Sequence, residues 1–323
     1  MDEAPAGATR NMTDETFILL RDFIYEQSGI YFADNRKGQL EARLALRLKV
    51  NNLSDYDKYY YLLKYDPNSA REMRALFDSV TTNETSFFRS LPQIQAFQEK
   101  VLPEVVTRKE KLNERRIRLW SAGCSTGEEP YTMGIVLRQV LNDDSAAWDV
   151  KIVASDISEK ALRSARAALY SDYSLRSVPP GIKQGFFVPE GSSHRIVDHV
   201  RNLVDLQYLN LNDTRRVQLM KGFDVIFCRN VLIYFAPERV VDADLLGRQR
   251  RGGVQDALAR LGDAEQRGGH PPQLDARAPS AAAGIHRTCS RAPSPPGPPA
   301  RSPTPRSTRS SMPRPAVTAK APA

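Results

Sequence analysis

The chain reads as an α/β protein: a parallel sheet alternating with helices, preceded by a small all-α domain and interrupted by a small antiparallel β insert. Three observations predict this. Apolar residues recur at helical spacing from 13 to 80, strand–turn–helix units begin at 117, and short β-rich pieces separated by turn residues lie between 185 and 209.

The elements follow in order. After a polar arm over 1–12, Thr13 or Asp14 can cap a helix carrying Phe17, Leu20, Phe23 and Ile24 and ending near Gly29. A second helix over about 36–50 repeats Leu40, Leu44 and Leu48 every fourth residue, with Arg36, Arg43 and Arg47 on another face. Tyr56, Tyr59, Tyr60 and Leu63 mark a third helix and Ala70 to Val80 a fourth, giving a helical domain over 13–80. A linker and connecting helix occupy 81–116. From 117 the β run IRLW leads through the turn SAGCSTG into the helix EEPYTMGIVLRQVL, where Pro130 is tolerated in the first turn. A strand at 150–155, a helix capped by Ser158, and strands near 204–209 and 223–228 complete the alternation expected of a parallel sheet over 117–235. The pieces FFV, RIV and VDLQYL, broken by PEGSS, form the insert expected over 185–209.

Composition divides the 323 residues sharply. Residues 236–323 contain no Phe, Tyr or Trp, 14 of the 22 prolines, and 13 Arg against one Lys; their net charge is +7, leaving +1 for the first 235 residues. The basic total therefore belongs to the tail, and a folded nucleic-acid-binding face is not expected. Val240, Val241, Leu245 and Leu246 could form one helix and Val254, Ala257, Leu258 and Leu261 another. From residue 268 the sequence is Pro, Ala, Ser and Arg low complexity, expected to be disordered. Cys124, Cys228 and Cys289 have neither paired nor metal-ligand spacing, so reduced thiols and no metal are expected. With no apolar leader and no apolar run long enough to span a bilayer, a cytoplasmic monomer without direct membrane insertion is the expectation.

Chemistry concentrates in four places. The turn SAGCSTG lies between strand and helix, where backbone can approach a ligand and helix N–H groups face it, although alone it is equally an ordinary βα turn. Asp156 ends the second strand, where a carboxylate can accept both hydroxyls of a ribose, or simply cap the helix that follows. Asn83, Thr85 and Arg89 in TTNETSFFR combine an amide, a hydroxyl and a guanidinium beside Phe87 and Phe88, suiting a loop laid over a ligand or an interdomain linker. Arg229, Asn230 and Tyr234 follow the fourth strand, at the ligand-binding end of an open α/β sheet.

In order and spacing, TTNETSFFR at 81–89, LWSAGCSTGEEPY at 119–131, ASDIS at 154–158 and FDVIFCRNVLIYF at 223–235 resemble the chemotaxis receptor methyltransferase (CheR) family. The resemblance implies a Rossmann-like methyltransferase sheet and transfer of a methyl group from S-adenosylmethionine to glutamate side chains of chemoreceptors. It assigns Asn83, Thr85, Arg89, Glu129, Asp156, Asn210, Leu211, Arg229 and Asn230 to the cofactor, with Arg89 close to the transferred methyl; Arg89 and Tyr234 are expected to orient the substrate carboxylate. It makes the cytoplasmic helices of methyl-accepting chemoreceptors the partner, for which Arg36, Arg43 and Arg47 are a suitable complement, unless they are a solvated helix face. It covers about Phe17 to Phe235 and ends there, so the second half of the sheet is expected to be missing. Arg over Lys with Ala and Pro is also what a GC-rich gene gives when read out of frame, so a frameshift near 236–250 is expected. The rivals are a non-catalytic binding remnant and a methyltransferase for small molecules or nucleic acid.

Overall fold

The computed structural model describes residues 11–235 except Asn68. Four helices come first: α1 (Asp14–Ser28), α2 (Lys37–Val50), α3 (Tyr56–Tyr65) and α4 (Ser69–Val80). Thr13 caps α1, its hydroxyl accepting from the Thr16 N–H, and Gly29 ends it in the left-handed region at φ +76°. Phe17, Leu20, Ile24, Leu40, Leu44, Leu48, Tyr59, Leu63 and Leu76 are buried together as this bundle's core. The fourfold leucine spacing of α2 thus faces inward as its periodicity requires.

A connecting run follows, α5 (Leu91–Ala96), a π turn at Phe97–Val101 and α6 (Leu102–Lys111). Then come β1 (Arg116–Ala122), α7 (Glu128–Leu141), β2 (Asp149–Asp156), α8 (Glu159–Ala167), β3 (Leu169–Tyr170), α9 (Pro180–Phe186), β4 (Phe187–Glu190) and β5 (Ser193–Ile196). The last elements are α10 (Asp198–Arg201), β6 (Val204–Tyr208), α11 (Thr214–Val217) and β7 (Val225–Phe227). Among the described residues the main sheet has four parallel strands in the order β6-β2-β1-β7. Ile117, Leu119, Trp120 and Ile152 are fully buried because both faces of these inner strands are covered. Residues of α6 and α7 pack in the cluster on one side, and Leu209, Val217 and Phe223 pack with Trp120 on the other. Parallel connection brings the carboxyl ends of β1, β2, β6 and β7 to one edge, with Ala122 beside Ser155, Asp156 beside Tyr208 and Ser121 beside Phe227.

The small sheet differs from the expected insert over 185–209. β4 and β5 form an antiparallel hairpin through Gly191 and Ser192, with Gly191 at φ +60°, and β3 supplies a third strand from earlier in the chain. Residues 204–208, expected both as a strand of the parallel sheet and as a piece of the insert, belong to the parallel sheet alone, because crossover α8-to-α10 delivers them alongside β2. The expected tail helices, the low-complexity segment, the frameshift and the missing half of the sheet all concern positions outside the described residues.

The helical bundle is tied to the sheet's ligand-binding edge. Asn210 and Asn212 donate through Nδ2 to the carbonyls of Gln27 and Glu26 at 2.7 and 2.8 Å, engaging the last turn of α1. Tyr31 N–H donates to the Tyr234 carbonyl at 2.9 Å, and Ile30 bridges to Phe235. A side chain at Gly29 would collide with the Phe235 ring, with Cβ only 2.5 Å from Cε1, so the positive φ and the close approach both require glycine.

Candidate active site

One cleft lies where these parts meet, of about 1070 Å³ counted out to its open mouth. Its floor is built by strand ends. β1 turns at Gly123, φ +79°, where an added Cβ would lie 2.3 Å from Val231 Cγ2, so only glycine lets the β1 turn and the β7 segment touch. Gly123 N–H and Cys124 N–H both donate to the Ser155 carbonyl, at 2.8 and 2.9 Å, locking that turn onto β2.

All ten residues singled out for cofactor and catalysis line this cleft: Asn83, Thr85, Arg89, Glu129, Asp156, Asn210, Leu211, Arg229, Asn230 and Tyr234. Asp156 is buried at the end of β2. Its Oδ2 accepts from Ser125 N–H at 2.7 Å and its Oδ1 from Ser158 N–H at 2.8 Å. Burial raises its carboxyl above the usual carboxylate range, against the lowering effect of those backbone bonds. Capping the turn before α8 and facing the cleft are therefore one geometry. Ser158 is the true cap, its hydroxyl accepting from Ala161 N–H at 3.1 Å.

Glu129, in the first turn of α7, is held between Ser121, whose hydroxyl donates to Oε1 at 2.7 Å, and Arg229, 3.5 Å from Oε2. Burial raises its carboxyl too, opposed by Arg229, Ser121 and Arg89. Its neighbour Glu128 turns away, accepting from Thr126 Oγ1 at 2.6 Å. Arg229 reaches three groups at once, donating from Nε to Gln93 Oε1 at 2.5 Å and from Nη2 to the Arg89 carbonyl at 2.7 Å as well as pairing with Glu129. It orients other cleft groups as much as it lines the wall.

The roof is the 81–89 segment. Phe87 is fully buried, edge-on to Tyr170 and Phe187 with centroids 4.7 and 5.0 Å away, and Phe88 N–H donates to Thr132 Oγ1 at 3.2 Å. These aromatics anchor the loop, and Asn83 is fixed through its carbonyl, which accepts from Ser125 Oγ at 3.1 Å. Phe88 and Ser90 have φ of +54° and +58°, so Arg89 is presented by two non-glycine residues in the left-handed region. Arg89 is exposed, and Nη1 donates to the Glu84 carbonyl at 3.0 Å. Tyr234 is also exposed, at 36%, rather than a buried, locally bonded tyrosine.

Asn210 lines the wall, but its side chain is already used at both ends, donating to Gln27 O and accepting from Asn212 N–H at 2.9 Å. Sequence reasoning missed Ser125, which holds Asp156 and Asn83 from one left-handed residue at φ +49°; its place in the turn SAGCSTG was the available signal. Ser28, Ile30 and Val80 also line the cleft from the helical bundle, which no local motif announces.

The arginines expected to form a docking face are not alike. Arg36 is exposed, whereas Arg47 makes a bidentate pair with Glu72, with Nε to Oε1 at 2.8 Å, and Tyr59 O–H donates to the same carboxylate at 2.7 Å. Arg43 bonds the Val80 carbonyl and donates to Thr82 Oγ1 at 2.8 Å, beneath the ring of Phe32. Two of the three therefore hold α2 to α4 and to the linker, so Arg36, Arg43 and Arg47 do not present one free basic face.

The chain's sequence matches two adjoining family models, "CheR methyltransferase, all-alpha domain" over residues 15–81 and "CheR methyltransferase, SAM binding domain" over 83–273. The chain belongs to the CheR methyltransferase family. The second match runs beyond Phe235 and corrects the expectation that the resemblance ends there. Among relatives, chemotaxis protein methyltransferase 2 of Vibrio cholerae is 32% identical over 69% of this chain and 76% of its own length. The chemotaxis protein methyltransferase of Escherichia coli is 34% identical over 69% and 75%, and that of Borreliella burgdorferi 31% over 70% and 79%. A solved magnesium protoporphyrin IX methyltransferase from Synechocystis with bound SAH covers 65% of this chain and 78% of its own at 16% identity and a TM-score of 0.24, too low a likeness to bear on the fold. This CheR chain is an S-adenosylmethionine-dependent methyltransferase of chemotaxis. Among its described residues no helix is long and apolar enough to cross a membrane.

The cleft fits that cofactor. The Asp156 oxygens accept from Ser125 and Ser158 N–H and keep lone-pair capacity beyond their backbone donors, which suits ribose hydroxyls. The glycine at 123 lets the β1 turn approach closely, and the mixture of Ile30, Ile157, Leu209 and Leu211 with polar groups suits a heterocycle with a polar tail.

Proposed function

We propose that this methyltransferase esterifies glutamate side chains on the cytoplasmic helices of chemoreceptors. One observation carries the reading: the cleft offers a guanidinium and a phenol, Arg89 and Tyr234, at exposed positions, and no histidine is among its described lining residues. A glutamate has an ordinary pKa of about 4.3 and is already ionised at neutral pH, so its attack needs no general base. When bound, S-adenosylmethionine supplies an electrophilic methyl on a positively charged sulfur. An ionised glutamate would accept that methyl without needing a residue of the cleft to take a proton from it.

The work left to the protein is alignment and exclusion of water. Arg89 and Tyr234 orient the incoming carboxylate, and the left-handed residues on either side of Arg89 fix where its backbone can stand. Asp156 holds the ribose, while Asn83, Thr85, Glu129, Leu211, Arg229 and Asn230 complete the walls of the cofactor site. The functional units are the helical domain 13–80, the linker 81–116 and the catalytic domain from 117. Of the three arginines proposed to meet the receptor, Arg36 is the exposed one.

The test is incubation of the full chain with methyl-labelled S-adenosylmethionine and a chemoreceptor cytoplasmic fragment. Label that mild alkali releases as methanol, and that disappears when the acceptor glutamates are replaced by alanine, is expected. Alkali-stable label would contradict ester formation. Cofactor binding without any label would favour the non-catalytic remnant.

A further inference from the structure

The helical bundle reaches the Asp156 carboxylate through a relay that none of the sequence motifs contains. Asp78, near the end of α4, is largely covered, with 18% of its side chain exposed. Its Oδ1 accepts from Ser158 Oγ at 2.8 Å and from Lys160 N–H at 2.9 Å. Ser158 in turn donates its N–H to Asp156 Oδ1 at 2.8 Å. Two consecutive hydrogen bonds therefore run from a helix of the bundle to the carboxylate on the cleft floor. The contact is specific in charge as well as shape. The first turn of α8 has N–H groups without helical partners, and a carboxylate delivered from another element complements them. Arg163 lies 3.8 Å from the second Asp78 oxygen, and Arg74 of α4 stands 3.8 Å from Glu159 and over the Tyr208 ring at 5.5 Å, so the same seam carries three further charged contacts.

We propose that Asp78 is a positioning residue for the cofactor: by holding Ser158 it sets the turn that aims Asp156 into the cleft, making the helical bundle part of the cofactor site. The proposal rests on the reading of Asp156 as a cofactor ligand. Asp78 itself does not line the cleft. Its influence travels through Ser158, which explains why a bundle residue with no cofactor contact stands opposite a βα turn. Burial of Asp156 makes its orientation consequential, since a carboxylate fixed there cannot swing out to find a hydroxyl.

Calorimetric titration of S-adenosylmethionine into the full chain tests this on four proteins: wild type, Asp78→Ala, Asp156→Ala and the double variant. Asp78→Ala is expected to weaken binding about fivefold, the scale of one lost hydrogen bond. In steady-state assays the loss should fall on the cofactor KM rather than on kcat. Asp78→Asn, whose amide oxygen can still accept from both donors, should recover most of the affinity and covers the case in which alanine disturbs folding. In the Asp156→Ala background the Asp78 effect should vanish, because its route to the cofactor is gone. An undiminished Asp78 effect in that background would overturn the proposal, as would an Asp78→Ala protein with wild-type affinity. Unchanged affinity in Asp156→Ala itself would fail the underlying reading of the cleft, and the relay with it, and is told apart by that single variant.

Discussion

Two buried carboxylate sites, one inside the helical bundle and one on the cleft floor, use the same chemical group to opposite ends. Glu72 is saturated: Arg47 holds it with two donors and Tyr59 adds a third. Although burial pushes its carboxyl upward, the hydrogen bonds from Arg47 and Tyr59 prevail and leave it below the usual range. Asp156 is buried and Glu129 half-buried, both less fully engaged than Glu72, and desolvation prevails in raising both. The saturated site has nothing left to offer a ligand, and the unsaturated one retains acceptor capacity that folding alone does not use. Completeness of hydrogen bonding, more than burial, separates a carboxylate that holds the fold from one that awaits a partner.

The comparison breaks most visibly at Glu72. Its replacement by alanine strands Arg47 and Tyr59 inside the bundle and should cost about 3 to 5 kcal/mol, read from the urea midpoint. Arg36→Glu, at the exposed position just before α2, should stay within about 0.5 kcal/mol. If the two variants were equally stable, the internal pairing would not be what holds α2 to α4.

On the cleft side the effect should appear in binding. Asp156→Ala should weaken S-adenosylmethionine by about 1 to 3 kcal/mol by calorimetry, with the urea midpoint much less affected than in Glu72→Ala. Arg89→Ala should lower turnover by about 1 to 2 kcal/mol of transition-state energy while leaving helix content by circular dichroism unchanged, because its guanidinium orients substrate and holds only the Glu84 carbonyl. Equal loss of turnover and helix content would make Arg89 structural.

The smallest effect is in pH, and its sign distinguishes the two sites. Glu72 is depressed in the folded state, so it contributes stability above its unfolded pKa that is lost as pH falls through its folded value. Asp156 and Glu129 are raised, so their contribution is full below their unfolded values and lost as pH rises through the folded ones. Glu72→Gln should therefore flatten the loss of stability on acidification from pH 7 to 4, and Glu129→Gln should steepen it. Urea midpoints across that range check both slopes.

Much of this was legible in the sequence, for local reasons. The leucine repeat of α2, the Thr13 and Ser158 caps and the alternation of strand and helix all follow from neighbours in the chain, and so does the placement of Asp156 at a strand's end. The motifs that carried chemistry were short, so Asn83, Thr85, Arg89, Asp156, Arg229, Asn230 and Tyr234 could be named from them, whereas Glu129, Asn210 and Leu211 were named only through the resemblance; all ten line the cleft. What stayed hidden depends on partners distant in sequence. Arg47 looked like a surface charge because nothing in the periodicity of α2 shows that Glu72 lies opposite. The strand at 204–208 could be placed in the parallel sheet or in the insert, because its pairing with β2 spans an entire crossover and has no local signature. The bonds from Asn210 and Asn212 to the carboxyl end of α1 join positions more than 180 residues apart and have no local signature.

The most direct test of the difference between the two carboxylate sites is the rise in thermal midpoint that saturating S-adenosylmethionine produces in wild type, Glu72→Gln and Asp156→Ala. Ligand stabilisation depends on affinity for the folded state, whatever the starting stability. Glu72→Gln should melt lower than wild type but gain a similar increment from the cofactor, and Asp156→Ala should lose most of that increment. A wild-type increment in Asp156→Ala, or its disappearance in a still-folded Glu72→Gln, would contradict the assignment of one carboxylate to the cofactor and the other to the fold.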